Sequence, residues 1–494
     1  MKATGFDNDK YLREQSAKIR ERIAGFGGKL YLEFGGKLFD DYHASRVLPG
    51  FQPDSKVKML MGMKDEAEII IAISAGDIER NKYRGDIGIT YDFDVLRLID
   101  AFRDCGLYVG SVVITHYEGQ SSAASFKQKL ENLGLPVYLH YIIPDYPADV
   151  ELILSEDGFG KNDYIETERS LVVVTAPGPG SGKMATCLSQ IWHENRRGVK
   201  AGYAKFETFP IWNLPLQHPV NLAYEAATAD LDDVNMIDPF HLDAYGETTV
   251  NYNRDVEIFP VLNAILEGIW GRSPYNSPTD MGVNMAGLCV SDDEVCRRAA
   301  RQEIIRRYFN ARVSQRQGFD KANEVQKIEL LMKRCGISAA DRPVVAAARE
   351  RAEATGNPAL AMELPDGTVI TGKTSDLLGA SSACLLNALK KLAGIEKSAR
   401  LISPDVIEPI QKLKVGHMGN RNPRLHTDET LIALTISAVT DERAARALDQ
   451  LGALAGCEAH ASVILSRVDE NVFHHLGVNM SMEPVYQTRK LYHN

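Results

Sequence analysis

Apolar runs of strand length recur through the early part of the chain, at residues 30–34, 68–74, 108–115, 136–143 and 171–175. Helix-period segments lie between several of them. In 94–105, Val95, Leu98, Ile99 and Phe102 fall on one helical face, and 126–133 repeats the pattern. A polar helix over the first 25 residues leads into the first strand. Strands alternating with helices predict a mostly parallel sheet covered on both faces, a Rossmann-like α/β portion spanning 1–210.

The pattern then changes. Residues 206–278 are rich in Asn, Asp, Tyr, Pro and Trp, and only 261–270 is clearly periodic. A long helix follows, opened by a capping box in which Ser291 is paired with Glu294. Helical character resumes over 323–333. These segments form a loop-rich and helical insertion, 211–338. Asp341-Arg342-Pro343 marks a new start. A separate C-terminal α/β domain, 339–494, is expected, with strands at 359–363, 368–371, 431–439 and 461–466 and helices at 381–393 and 442–451.

Composition narrows the class. A chain of 494 residues suggests two or three domains, and its 44% hydrophobic and 25% charged content is that of an ordinary globular protein. A net charge of −10 argues against non-specific nucleic-acid binding. No run has the roughly 18 apolar residues of a membrane helix, and the polar start lacks the apolar core of a signal peptide. Seven cysteines, an odd number without CxxC spacing, argue against a disulfide framework or a structural zinc site. A reducing, cytoplasmic location is expected.

The sharpest chemical signal closes the fifth strand. There Val172-Val173-Val174-Thr175 runs into Ala176-Pro177-Gly178-Pro179-Gly180-Ser181-Gly182-Lys183, followed by a helix. Such a turn offers backbone N–H groups and a positive helix end to an anion. Gly178, Gly180, Ser181, Gly182 and Lys183 are therefore candidate phosphate-binding residues. The match to the nucleotide P-loop, G-x-x-x-x-G-K-[ST], is incomplete: Pro177 replaces the first glycine and Met184 the hydroxyl. G-x-G-x-x-G is not matched either. A tight connection without a ligand is the competing reading, although three glycines and a lysine exceed what a plain turn needs.

Other clusters surround this one in sequence. Asp238-x-x-His241-x-Asp243 and Asp255 offer carboxylate and imidazole for Mg²⁺ or for base catalysis. Asp238, His241 and Asp255 are thus candidate catalytic residues. Lys205, Glu207, His218 and Arg254 are candidates for the substrate pocket, as is Lys37 beside Gly35-Gly36 and near Asp41, His43 and Arg46. Each competes with turn-forming polar residues and solvated charge. In the C-terminal domain, the small residues around Gly372 and Ser381-Ser382 read best as close helix packing, with Cys384 lacking an evident activating base. The basic loop Lys414–His426 suits either an anion clamp or a solvated surface. Arg297, Arg298, Arg301, Arg306, Arg307, Arg312 and Arg316 read as a solvated or salt-bridged helix, from which one or two arginines could reach a bound phosphate.

Five segments together resemble one bacterial family: Glu33-Phe34-Gly35-Gly36-Lys37, the Ala176–Lys183 turn, 205–210, 223–231 and 250–255. The family is catalogued as domain of unknown function 1846, and the resemblance spans nearly the whole chain. It implies a cytoplasmic protein with a Rossmann-like portion, a helical insertion, a C-terminal α/β domain and homo-oligomerisation. It supplies no reaction and no catalytic residues.

The favoured reading is an enzyme handling a nucleotide or phosphorylated metabolite, as a phosphotransferase with Mg²⁺ as candidate cofactor. Expected partners are that small molecule and further copies of the chain, with neither nucleic acid nor membrane. The alternative is a non-catalytic oligomeric sensor using the same pocket. A dehydrogenase is disfavoured by the missing dinucleotide fingerprint.

Overall fold

A computed structural model describes residues 3–39, 41–84 and 87–488. The chain divides into two compact units, one formed by Thr4–Tyr224 with Asp233–Cys296, the other by Glu225–Asp232 with the chain from Arg297 onward.

The first unit is built on seven parallel strands: β1 (Leu30–Phe34), β2 (Ala67–Ser74), β3 (Tyr108–Tyr117), β4 (Val137–Tyr141), β5 (Leu171–Thr175), β6 (Gly202–Phe206) and β7 (Gly282–Val283). Their order is β7–β6–β1–β5–β2–β3–β4. Each of the five strands expected before residue 176 is present. Strands β1, β2 and β5 are buried at every position, which is why they read as continuous rather than alternating apolar runs. Burying each Val or Ile side chain there is worth roughly 1.5–3 kcal/mol.

The connections reverse direction at the sheet's centre. From β1 the chain passes over the position of β5 to reach β2; from β5 it passes over β1 to reach β6. Right-handed crossovers running in opposite directions put their helices on opposite faces. The loops after β1 and β5 therefore diverge and leave a crevice at the carboxyl ends of the strands. On one face, helices Lys183–Arg196 and Asn253–Trp270 pack over Tyr31, Val172, Val174 and Tyr203. On the other, Phe34 and Phe206 stack with ring centroids 4.0 Å apart, as strand alternation requires.

The long helix begins at Asp293. Its cap is Asp292, which accepts from Val295 N at 3.2 Å, rather than the expected Ser291. No helix among the described residues is long and apolar enough to cross a membrane.

The second unit carries a mixed sheet of β8 (Ala359–Glu363), β9 (Val369–Lys373), β10 (Glu458–Ala461) and β11 (Asn479–Met482), ordered β9–β8–β10–β11. Two expectations fail here. Residues 431–438 of this stretch belong to a helix, Thr427–Ala438, and Val439 is its C-cap. Its start is locked by Glu429, which accepts from His426 N at 2.8 Å, and by Asp469, which accepts from Thr427 N at 2.9 Å. This capping outweighs the strand preference of the β-branched residues that follow. Residues 462–466 lie beyond β10, which ends at Ala461. Expected helices at 381–393 and 442–451 appear as Ala380–Leu392 and Glu442–Leu448. Helix Ala380–Leu392 packs so closely on β9 that a Cβ on Gly372 would stand 2.1 Å from Cys384 N.

Candidate functional site

The crevice brings ionisable side chains together through strand register. Glu33 of β1 lies opposite Lys205 of β6, so both project to the face covered by helices Lys183–Arg196 and Asn253–Trp270. Lys205 Nζ donates to Glu207 Oε1 at 2.9 Å and makes close contacts with Asp255 Oδ2 and the Tyr252 hydroxyl. The Tyr252 hydroxyl also donates to Glu207 Oε1 at 3.4 Å. One register step back, the Tyr203 hydroxyl donates to Glu33 Oε2 at 2.7 Å. A buried hydroxyl without a hydrogen-bond partner among the described residues, that of Tyr146, sits in the field of the Glu33 carboxylate.

Burial and neighbours set the protonation states. Burial opposes the Lys205 charge, but Asp255 and Glu207 more than compensate and hold its ammonium well above the ordinary lysine range. Burial pushes Glu207 up to about 8; Lys205 opposes that rise and the Asp255 charge adds to it. Tyr203 and Tyr252 are pushed up chiefly by burial, so both remain donors. Lys183 is shifted downward by burial and by repulsion from Lys205, with Glu33 pulling the other way. The result is a cation held between carboxylates, one of which exchanges its proton near neutral pH.

The glycine turn sits on the next strand. Ser181 Oγ donates to Gly178 O at 2.9 Å, and Thr115 Oγ1 donates to Ser181 O at 2.9 Å, tying the turn to the end of β3. Two of its glycines have local reasons. A Cβ on Gly178 would stand 2.2 Å from the Tyr91 hydroxyl, and Gly182 has φ of 79° with Thr115 beside it. Gly180, at φ 74°, faces open space. Helix Lys183–Arg196 starts at Gly182 without a side-chain cap, so its first-turn N–H groups keep their donor capacity and the positive end of the dipole.

The sequence-derived candidates divide accordingly. Lys183, Lys205, Glu207 and Asp255 come together around the crevice. Asp238 does not join them. It is fully buried and caps helix Pro239–Tyr245, its Oδ1 accepting from Phe240 N and His241 N at 3.0 Å and its Oδ2 accepting from Thr279 N and Oγ1 at 3.2 and 2.6 Å. Both oxygens are thereby spent. His241 Nδ1 lies 2.9 Å from Ser277 Oγ, on the wall of a nearby cavity. His218 Nδ1 accepts from Val220 N, leaving Nε2 to donate to Asp293 at 2.8 Å. Arg254 pairs with Asp233 through two nitrogens, at 2.5 and 2.7 Å. Lys37 is exposed, whereas Asp41 turns inward to a buried ion pair with Lys56 at 2.7 Å.

No group of three or more His, Cys, Asp or Glu side chains converges as a metal-ligating set among the described residues. The expected Asp238–His241–Asp243 set does not assemble, because Asp238 points into its own helix cap and Asp243 is exposed.

Residues missed in the sequence complete the site: Glu33, Tyr203, Tyr252 and Tyr146. The signal was faint but present. Glu33 is the single charged residue of β1 and Lys205 that of β6, each near the carboxyl end of a strand that is otherwise apolar or aromatic.

The C-terminal clusters are internally satisfied. Burial holds the Cys384 thiol well above its ordinary range, which leaves it inert. In the basic loop, Lys414 Nζ donates to Glu429 Oε2 at 2.7 Å and to Arg424 O at 2.8 Å, and Arg424 Nε donates to Ser375 O at 2.6 Å.

Sheet order, crevice and glycine turn define a doubly wound α/β protein with a polar site at its switch point. The chain belongs to the family described as domain of unknown function DUF1846, matching its N-terminal model over residues 4–336 and its C-terminal model over 340–492. It is 61% identical over 487 residues to a UPF0371 protein of Corynebacterium aurimucosum, covering 98% of each chain. It is 58% identical over 492 residues to a UPF0371 protein of Streptococcus pneumoniae, covering 100% of each.

Proposed function

We propose that this protein is an enzyme that binds a nucleotide or phosphorylated metabolite across the carboxyl ends of β5, β1 and β6. Gly178, Gly180, Ser181, Gly182 and Lys183 receive the phosphate. Lys205, Glu207 and Asp255 handle charge and protons beside it. The observation that carries this reading is the Lys205–Glu207–Asp255–Tyr252 cluster, in which burial brings a carboxyl to about 8 next to an uncapped helix start. A group titrating near working pH both gives and takes a proton efficiently. Phosphoryl transfer, which relies on positioning and electrostatic stabilisation more than on covalent chemistry, suits such a site. Glu33 and Asp255 already hold Tyr203 and Lys205, so these residues offer no ready-made Mg²⁺ site.

The test is thermal shift against nucleotides, sugar phosphates and inorganic phosphate, with and without Mg²⁺, on wild type and Lys183→Ala. Ligand binding to the native state raises the melting temperature. A selective shift lost in Lys183→Ala is expected; no shift with any ligand makes the turn structural. Binding without turnover of the bound ligand favours a sensor over an enzyme.

A further inference from the structure

Beside the phosphate turn, a second feature of the same crevice has no role yet. A cavity of about 280 Å³ opens at the carboxyl ends of β6 and β7. Its walls include Glu207, Trp212, His241, Asn251 and Asn284. Glu207 belongs to both places. Its Oε1 serves Lys205 and Tyr252, while Oε2 faces Gly282 of β7, where a Cβ would stand 3.6 Å away.

The wall is unevenly satisfied. Asn251 is only 3% exposed. Its Oδ1 accepts from Tyr252 N at 2.9 Å, yet its Nδ2 donates to no protein group among the described residues. His241, also in the wall, uses Nδ1 on Ser277, and its Nε2 makes no hydrogen bond to the described residues. Trp212 spends its N–H on Asn284 O at 2.8 Å and so presents ring rather than donor. An amide nitrogen, an imidazole nitrogen, a carboxyl oxygen and an indole, in a wall that also carries Lys18, Arg22 and Asp280, together suit a ring with several hydroxyls. Its hydroxyls pair with the polar atoms and its C–H face lies on the indole.

Position along the sheet sets the ligand's length. The phosphate turn follows β5, and the cavity lies at β6 and β7, with β1 between. Strands lie about 4.8 Å apart, so the two places, two to three strands apart, are separated by roughly 10–14 Å. Gly35 N donates to Phe206 O at 3.1 Å, and Gly36, at φ 72°, follows with no side chain. A monosaccharide phosphate is too short for this span; a sugar esterified to a nucleoside diphosphate is not.

We infer that the ligand is an elongated diphosphate ester, whose phosphates lie on Gly178–Lys183 and whose polyhydroxylated end enters the Glu207–Asn251–His241 cavity. This rests on the phosphate reading of the turn and names the substrate class for it.

Calorimetric titration of the full chain with pyrophosphate, ADP, UDP, ADP-ribose, UDP-glucose and glucose 1-phosphate tests it. At least one diphosphate sugar is expected to bind ten-fold or more tightly than its parent diphosphate. Asn251→Asp, which keeps the acceptor for Tyr252 N, and His241→Ala are expected to abolish that gain and leave the parent diphosphate unchanged. Lys183→Ala is expected to weaken both. Equal affinity for sugar ester and parent, or equal losses for both in the cavity variants, overturns the inference while leaving the phosphate reading intact. If no phosphate compound binds the wild type, both are overturned.

Discussion

The Tyr203 hydroxyl donates to Glu33 Oε2 at 2.7 Å, joining β6 to β1 beneath the crevice. Both side chains are buried, so neither finds water when the other is removed. Tyr203→Phe strips Glu33 of this donor. A loss of about 1–3 kcal/mol in unfolding free energy is expected, because a buried charged acceptor left unpaired costs its full desolvation. Urea denaturation measures it, and a loss near zero would show that Glu33 has a second donor.

Glu207 gives stability a distinctive pH dependence. The unfolded chain releases this proton near the ordinary value of 4.5, whereas the native protein keeps it to about 8. Between those values the native state binds more protons than the unfolded one. The stabilisation is therefore complete below 4.5 and is lost as pH rises toward 8. Glu207→Gln mimics the protonated carboxyl, so its stability should fall less than that of the wild type across this interval. Denaturation at both ends of the interval, on both proteins, tests this; parallel profiles would exclude Glu207 as the titrating group.

Asp238 should behave as a structural residue. Its four accepted hydrogen bonds fix the start of helix Pro239–Tyr245 and the Thr279 segment. Asp238→Ala is expected to cost roughly 2 kcal/mol or more. Phosphate affinity per folded molecule should be unchanged. A variant that is fully stable yet fails to bind would return Asp238 to the site.

In the C-terminal unit the corresponding weak point is Arg342, fully buried before helix Pro343–Thr355. Its guanidinium reaches Glu458 Oε2 at 2.5 Å, Ser481 Oγ at 3.0 Å, Asn479 O at 2.8 Å and Ala459 O at 3.2 Å, and so clasps β10 to β11. Arg342→Leu should cost about 3–5 kcal/mol, since breaking a buried pair leaves its partners unsatisfied. Arg342→Lys should rescue little, because an ammonium cannot reproduce the fork. Denaturant titration of the full chain reads both; full rescue by lysine would show that charge alone suffices.

The strands of the large sheet were legible because burial on both faces leaves no polar alternation to confuse the pattern. The glycine turn was legible because its composition is extreme. What local sequence does not carry is strand order. Glu33 and Lys205 are far apart in the chain and become register partners only because β6 lies beside β1. Asp238 shows a different limit: an aspartate that caps a helix and one that binds a ligand look alike in a polar loop. Residues 431–439 show a third. The β-branched run has strand composition, but the caps that make it a helix include Asp469, contributed from a distant segment.

The nested sheet order has a consequence for biosynthesis. Strand β5 is inserted between β1 and β2 although it leaves the ribosome long after both. At 5–20 residues per second, roughly 7–28 s separate the emergence of Phe34 from that of Thr175. During that time the inner edges of β1 and β2 lack the neighbour that pairs them both in the finished sheet, exposed to the chaperones and neighbouring chains that seek such edges. The strand that ends this vulnerable period also carries the glycine turn. Closing the centre of the sheet and creating the glycine-turn end of the crevice are therefore a single folding event.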